Sequence, residues 1–149
     1  MKPALNRFFF CICFLAVSCS ANADTNQTPY LYVLGVTQDA GYPQAGCLAP
    51  HCLPGWQDVR KRRGAVSLGL IDPEAKKKFM FEATPNFPGQ YYDLQVEAPD
   101  AQFDFGGLFL THAHIGHYTG LMFLGHEVMG ASNVPVYAMP RMTDFLQKN

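Results

Sequence analysis

One stretch constrains the fold more than any other: residues 108–121, LFLTHAHIGHYTGL. A continuous apolar run, residues 107–111, reads as a strand, and it ends directly on the first of three histidines. His112 and His114 are one residue apart, so on an extended loop their rings project to the same side, as two ligands of one tetrahedral metal must. His117 follows on what reads as the first turn of the next helix, close enough to face a neighbouring metal position. A lone histidine here would read as a surface or capping residue; three at a strand end point to a metal. Neutral imidazole is a common zinc ligand, and zinc with one open position lowers the pKa of its water to about 7.

A strand that delivers ligands needs a sheet around it, and the remaining pattern supplies one. Residues 30–36 are aromatic and β-branched and read as a buried strand, followed over residues 37–63 by a long loop of Gly, Pro, Gln and charge without a sustained period. Residues 65–71 and 78–83 form a strand pair whose linker, Asp72-Pro73-Glu74-Ala75, opens with a turn signal. A short helix is expected over residues 91–96, confined by Pro85, Pro88 and Gly89. Leu121, Leu124, Val128 and Met129 recur at helical spacing over residues 119–129, with Gly130 as the stop. A strand at residues 134–138 and a helix at 141–147 complete an α/β arrangement in one domain, which is the ceiling for 149 residues.

The N-terminus reads as a leader. Lys2 and Arg7 precede an apolar run, and Ala21-Asn22-Ala23 offers small residues for cleavage, so residues 1–23 are expected to be a signal peptide and residues 24–29 a polar linker. The run is short of the about 20 residues of a membrane span, which makes a retained helix the lesser reading; acylation of Cys19 as a lipid anchor is another. Export places the chain in the periplasm or outside the cell. Of five cysteines, cleavage leaves Cys47 and Cys52, which in an oxidising compartment pair as a disulfide or, with His51, hold a zinc. Net charge is −1, so the basic runs at residues 60–63 and 76–78 read as solvated loop and hairpin faces and not as a nucleic-acid surface.

The segment THAHIGHYTGL resembles the signature Thr-His-x-His-x-Asp-His-x-x-Gly of the metallo-β-lactamase fold. Two further segments, VLGVTQDAGYPQAGC and FEATPNF, resemble the branch that contains the pyrroloquinoline quinone biosynthesis protein B, and together the likeness runs from residue 30 to about residue 137. It implies an αββα sandwich in which His112 and His114 hold a first zinc and His117 helps hold a second. The aspartate of the signature falls on Gly116, which can neither ligate nor accept a proton, so the count of one zinc or two and the catalytic residues stay open. The remaining ligands of such a site, a histidine, a bridging aspartate and a final histidine, lie well beyond the first signature; only the N-terminal half is expected here. The structural zinc knot of that branch, Cys-x-Cys-x-x-Cys, has its middle position at Ala49, with His51 as a possible substitute.

The resemblance implies an exported zinc-dependent hydrolase acting on a small-molecule ester, amide or phosphoester through metal-bound hydroxide. The alternative is a non-catalytic metal-binding or carrier protein, favoured by Gly116. Asp39, after the first strand, is placed to approach the histidines in space. Glu82, just past a strand, is within reach of the site but reads first as an edge carboxylate with a solvated face, His126 as a helix-surface or packed residue, Trp56 as an anchor of the long loop, and Tyr91 and Tyr92 as core residues or cleft walls.

Overall fold

The computed structural model describes residues 28–149; the expected signal peptide, Cys11, Cys13, Cys19 and most of the linker lie outside the described residues. Five strands form one sheet in the order β1-β2-β3-β4-β5: β1 Tyr30–Gly35, β2 Ser67–Asp72, β3 Lys77–Phe81, β4 Asp104–Leu110 and β5 Val136–Ala138. The β2–β3 hairpin forms as its turn chemistry predicts, with the Asp72 carboxylate accepting from the Ala75 amide at 2.9 Å. β1 and β3 are both antiparallel to β2, and β4 and β5 run parallel to β3. Four strands therefore point the same way, and the loops after β1, β3, β4 and β5 all emerge at one edge of the sheet.

Helix α2, Phe87–Glu97, is the crossover between the parallel strands β3 and β4 and covers one face of the sheet. Gly69 permits the close approach: a Cβ there would lie 2.7 Å from Leu94 Cδ1. Ile71, Met80, Phe87, Leu94 and Leu108 fill the space between them, all fully or almost fully buried. The other helices are short: α1 Leu53–Gln57, α3 Ile115–Tyr118 and α4 Pro140–Lys148. Among the described residues no helix is long and apolar enough to cross a membrane.

The opposite face carries an apolar row in register across all five strands, Val33, Leu68, Phe81, Phe109 and Tyr137. The Phe81 and Phe109 rings stack at 5.0 Å and the Phe109 and Tyr137 rings at 4.7 Å. This face is open, with Leu31 and Val33 60% and 59% exposed. β1 is thus an edge strand with one wet face, not the buried strand its composition suggests.

Three other expectations are corrected. α2 starts four residues earlier than expected, because Pro88 stands in the first turn, where no helical N–H is required. The helix expected over residues 119–129 is instead a 3-10 segment, Thr119–Leu124, that ends at Gly125 and leaves Met122 and Val128 exposed. Contact with the preceding strand exit takes precedence there: the Gly120 amide donates to Ala83 O at 2.8 Å, and a Cβ on Gly120 would stand 2.3 Å from Thr84 O. Lys78, expected on a solvated hairpin face, is fully buried. Its ammonium donates to Gln95 Oε1 at 2.8 Å and to the Ala98 carbonyl, and pairs with Asp100 Oδ1 at 2.7 Å.

Candidate metal centre

The C-terminal edge of a parallel sheet is where ligand sites of α/β proteins form. β4 ends at Leu110 and hands the chain to Thr111, His112, Ala113 and His114 before α3 begins. The three rings converge on that edge, with centroids of His112 and His114 4.5 Å apart and those of His112 and His117 4.2 Å apart. His112 and His114 are exposed and His117 is buried. The loop is tied to the exit of β3: the Glu82 amide donates to Phe109 O, the Ala83 amide to His117 O and the His117 amide to His114 O, each at 2.9 Å. Thr111 Oγ1 stands 2.8 Å from His112 Nδ1, which fixes that ring and leaves Nε2 as the nitrogen not engaged by this contact.

Two carboxylates flank His117. Glu82 Oε2 lies 3.6 Å from Nδ1 and Asp39 Oδ1 lies 3.8 Å from Nε2, both beyond hydrogen-bond range. His117 Nδ1 is buried without a hydrogen-bond partner and has the Glu82 carboxylate beside it, the side on which a carboxylate steadies a metal-binding imidazole, while Nε2 faces Asp39 and is the nitrogen open to a metal. Three imidazoles and two carboxylates are donors that suit zinc, so the residues present fit the ion the sequence implies.

Of the two readings of Glu82, the structure takes the one that reaches the site and overturns the solvated edge carboxylate. Glu82 is 6% exposed, and one of its oxygens accepts from the Thr111 amide at 3.3 Å. Strand parity was the available signal: Lys78, Met80 and Glu82 alternate on the helix-covered side, and Glu82 continues that side past the end of β3. Asp39 does come to the histidines, as its position suggested. His126 is exposed and outside the cluster, Tyr91 packs between Phe87 and Phe105, and Tyr92 faces solvent.

Cys47, His51 and Cys52 also come together, on the loop before α1. The structure joins the cysteines in a disulfide with Cα atoms 6.0 Å apart, and His51 Nε2 stands 3.9 Å from Cys47 Sγ. Among the described residues this is the trio whose donor atoms all lie within 4.8 Å of one another. In this oxidised form the thiolates that zinc needs are consumed. Trp56 anchors the loop as expected, donating from Nε1 to Cys47 O at 2.7 Å beneath the Arg62 guanidinium.

Beside the histidines a cleft of about 480 Å³ opens on the uncovered sheet face, lined by Phe81, Phe109, Leu110, Thr111, Tyr137, Ala138 and Met139.

No protein-family model and no curated protein sequence matches the chain. Solved structures do. Zinc-bound PqqB from Methylobacterium extorquens superposes with a TM-score of 0.63 at 21% identity, covering 82% of this chain and 40% of that one. A diphosphatase of the PhnP family superposes with a TM-score of 0.59 at 24% identity, covering 80% of this chain and 44% of that one. The chain thus spans less than half the length of each. The five-stranded sheet, its crossover helix and the histidine loop at its C-terminal edge are therefore one half of a metallo-β-lactamase-type fold, the N-terminal half that the signature implied.

Proposed function

We propose that the chain supplies the first-half ligands of an exported, zinc-dependent hydrolytic centre that acts on an ester, amide or phosphoester of a small molecule. One observation carries the reading: three imidazoles converge at the C-terminal end of β4, and the buried one is flanked by two carboxylates that lie just beyond hydrogen-bond range. The zinc-bound state of the superposed PqqB and the diphosphatase chemistry of the other neighbour support the choice of metal and of reaction class. His112 and His114 would hold the first ion, and His117 would serve a second or complete the first. When bound, zinc supplies Lewis-acid polarisation of the scissile bond and acidifies a water at neutral pH. The protein's own residues do the positioning: Thr111 orients the His112 ring, and Glu82 ties the loop through the Thr111 amide and presents negative charge to His117. The leader at residues 1–23 would direct export to the periplasm or beyond.

A second reading, a metal-binding or carrier protein without turnover, is favoured by Gly116, which leaves no carboxylate at that position of the signature. Metal content separates these readings from a metal-free protein. Zinc is expected at one ion or more per chain after purification without chelators, and its loss is expected in the His112→Ala/His114→Ala double variant. Turnover of chromogenic phosphoester and lactam substrates then separates enzyme from carrier. Unchanged zinc in the double variant, measured with the Cys47–Cys52 disulfide formed, sinks both.

A further inference from the structure

We propose that Asp39 is a carboxylate ligand of the histidine centre, delivered by the loop after β1 into the space that glycine leaves free at position 116. The inference rests on the reading of the histidines as metal ligands and adds a ligand from a distant part of the chain.

Separation is the first support. Asp39 Oδ1 stands 3.8 Å from His117 Nε2, too far for a hydrogen bond. Two donors each about 2.0–2.1 Å from one tetrahedral zinc lie roughly 3.3 Å apart, so the gap is close to that of two ligands sharing an ion. Glu82 occupies the other side of the ring, by Nδ1, and is engaged with the Thr111 amide. Asp39 is the carboxylate that faces Nε2. Among the described residues Asp39 pairs with His117 and with no lysine or arginine, so its charge is free to meet a cation.

Steric exclusion is the second. A Cβ on Gly116 would fall 1.7 Å from Asp39 O, 2.3 Å from its carbonyl carbon and 2.7 Å from its Cα. Every one of those atoms is backbone. A side chain at 116 and the Asp39 turn cannot share this space, so the chain carries one carboxylate source or the other. The glycine that deprives the histidine loop of its own carboxylate is what admits Asp39.

Backbone fixation is the third. Asp39 sits in the left-handed region at φ 42°, a conformation that costs a non-glycine residue roughly 1 kcal/mol and persists only when its surroundings hold it. They do. Thr37 and Tyr42, on either side, bridge to Ala65 and Arg63. The Val66 amide donates to Thr37 O at 2.8 Å, the Tyr42 amide to Arg63 O at 2.8 Å and the Arg63 amide to Tyr42 O at 3.0 Å, while the Gly41 amide closes the turn on Gln38 O at 3.3 Å. Asp39 is therefore the tip of a turn clamped at both shoulders, which is the rigidity a ligand requires.

The test is zinc affinity of the whole chain, by competition with a chromophoric chelator, and the cobalt(II) absorption spectrum, for the parent, Asp39→Asn, Asp39→Glu and the His112→Ala/His114→Ala variant. The disulfide is kept formed throughout, and the melting temperature of each metal-free protein is recorded. Asp39→Asn is expected to weaken zinc by at least about 10-fold, the lower bound for residues that merely support a ligand. It should also alter the cobalt spectrum and leave the metal-free melting temperature unchanged, with partial rescue by Asp39→Glu. A parent that binds no metal, or one whose binding ignores the double histidine variant, overturns the underlying reading. A parent whose binding needs the histidines but is the same in Asp39→Asn overturns the assignment of Asp39 alone. Loss of metal-free stability in Asp39→Asn in step with the lost affinity also overturns it, since the residue would then be structural.

Discussion

Gly116→Ala is the sharpest probe of how the two loops fit together. The added Cβ would stand 1.7 Å from Asp39 O, where real Cβ contacts essentially never fall below 3.0 Å, so one backbone must retreat by more than an ångström. Neither is free to do so cheaply. The histidine loop is held by the Ala83 amide on His117 O at 2.9 Å, and the Asp39 turn by the Val66 amide on Thr37 O at 2.8 Å. Inserting a methyl group into a packed site costs about 1–3 kcal/mol, and backbone neighbours on a clamped turn place this case at the upper end. For a domain of this size each kcal/mol moves the melting temperature by roughly 4 °C, so Gly116→Ala should melt about 10 °C below the parent. Gly89→Ala is the matched control. No atom lies within 4 Å of its added Cβ, it is exposed in the first turn of α2, and it should be neutral or stabilising by about 0.4–1 kcal/mol. Differential scanning calorimetry of both variants, metal-free, reads the two effects. A Gly116→Ala protein that melts within about 2 °C of the parent would falsify the claim that the Asp39 turn fills this space.

Two further substitutions test the fold around the site. Lys78→Met keeps the buried stem but leaves the Ala98 carbonyl without its donor, and should cost about 1–3 kcal/mol in chemical denaturation; no loss would mean that water replaces the ammonium. Its partner Asp100 titrates below its ordinary 3.8: burial raises it, and hydrogen bonds from Lys78 and Gln95 outweigh that. A depressed folded-state value stabilises the protein above pH 3.8, and that contribution disappears as the pH falls through the lower folded value, so Asp100→Asn should flatten the acid arm of the stability profile and an unchanged arm would refute the coupling. Val33→Lys, on the open sheet face, should change stability by less than about 0.5 kcal/mol, whereas a collapse would show that the face is covered in solution.

What the sequence made legible follows from the range of the forces involved. Alternation and turn chemistry act between near neighbours, so the β2–β3 hairpin, β4 and the gathering of the histidines of residues 112–117 at the end of β4 could be read directly. The errors occur where tertiary contact overrides the local pattern. Residues 119–129 have helical spacing, but close packing against Ala83 and Thr84 draws them into a 3-10 segment. Lys78 and Glu82 are charged residues at buried positions on the helix-covered side, and composition assigned them to solvent where strand parity would have assigned them to the interior. Gln90 was passed over as well. It is buried on α2, and its amide donates to Ala65 O at 2.7 Å and to Leu34 O at 3.4 Å, tying the end of β1, from which the Asp39 turn departs, to the segment before β2. The pairing of Cys47 with Cys52 was not decidable, because spacing permits both a disulfide and a zinc site and only the fold brings the sulfurs into bonding geometry.

The lining of the cleft beside the histidines limits what the chain can recognise there. Aromatic rings from Phe81, Phe109 and Tyr137 form most of the floor, and its polar groups are Thr111 and a Tyr137 hydroxyl already directed at Gly106 O at 3.4 Å. A substrate lying over β4 would therefore meet π faces and no cationic side chain among the described residues lining the cleft, so a bound metal would supply the neutralising charge for an anionic centre placed there. A metal held by the exposed His112 and His114 would lie in water, where its field is screened far more than in a closed site. The part of the aromatic row that lines this cleft, Phe81, Phe109 and Tyr137, is therefore where closure and chemistry would be coupled: anything that covered it would exclude water beside the histidines and strengthen the field of a metal bound to them.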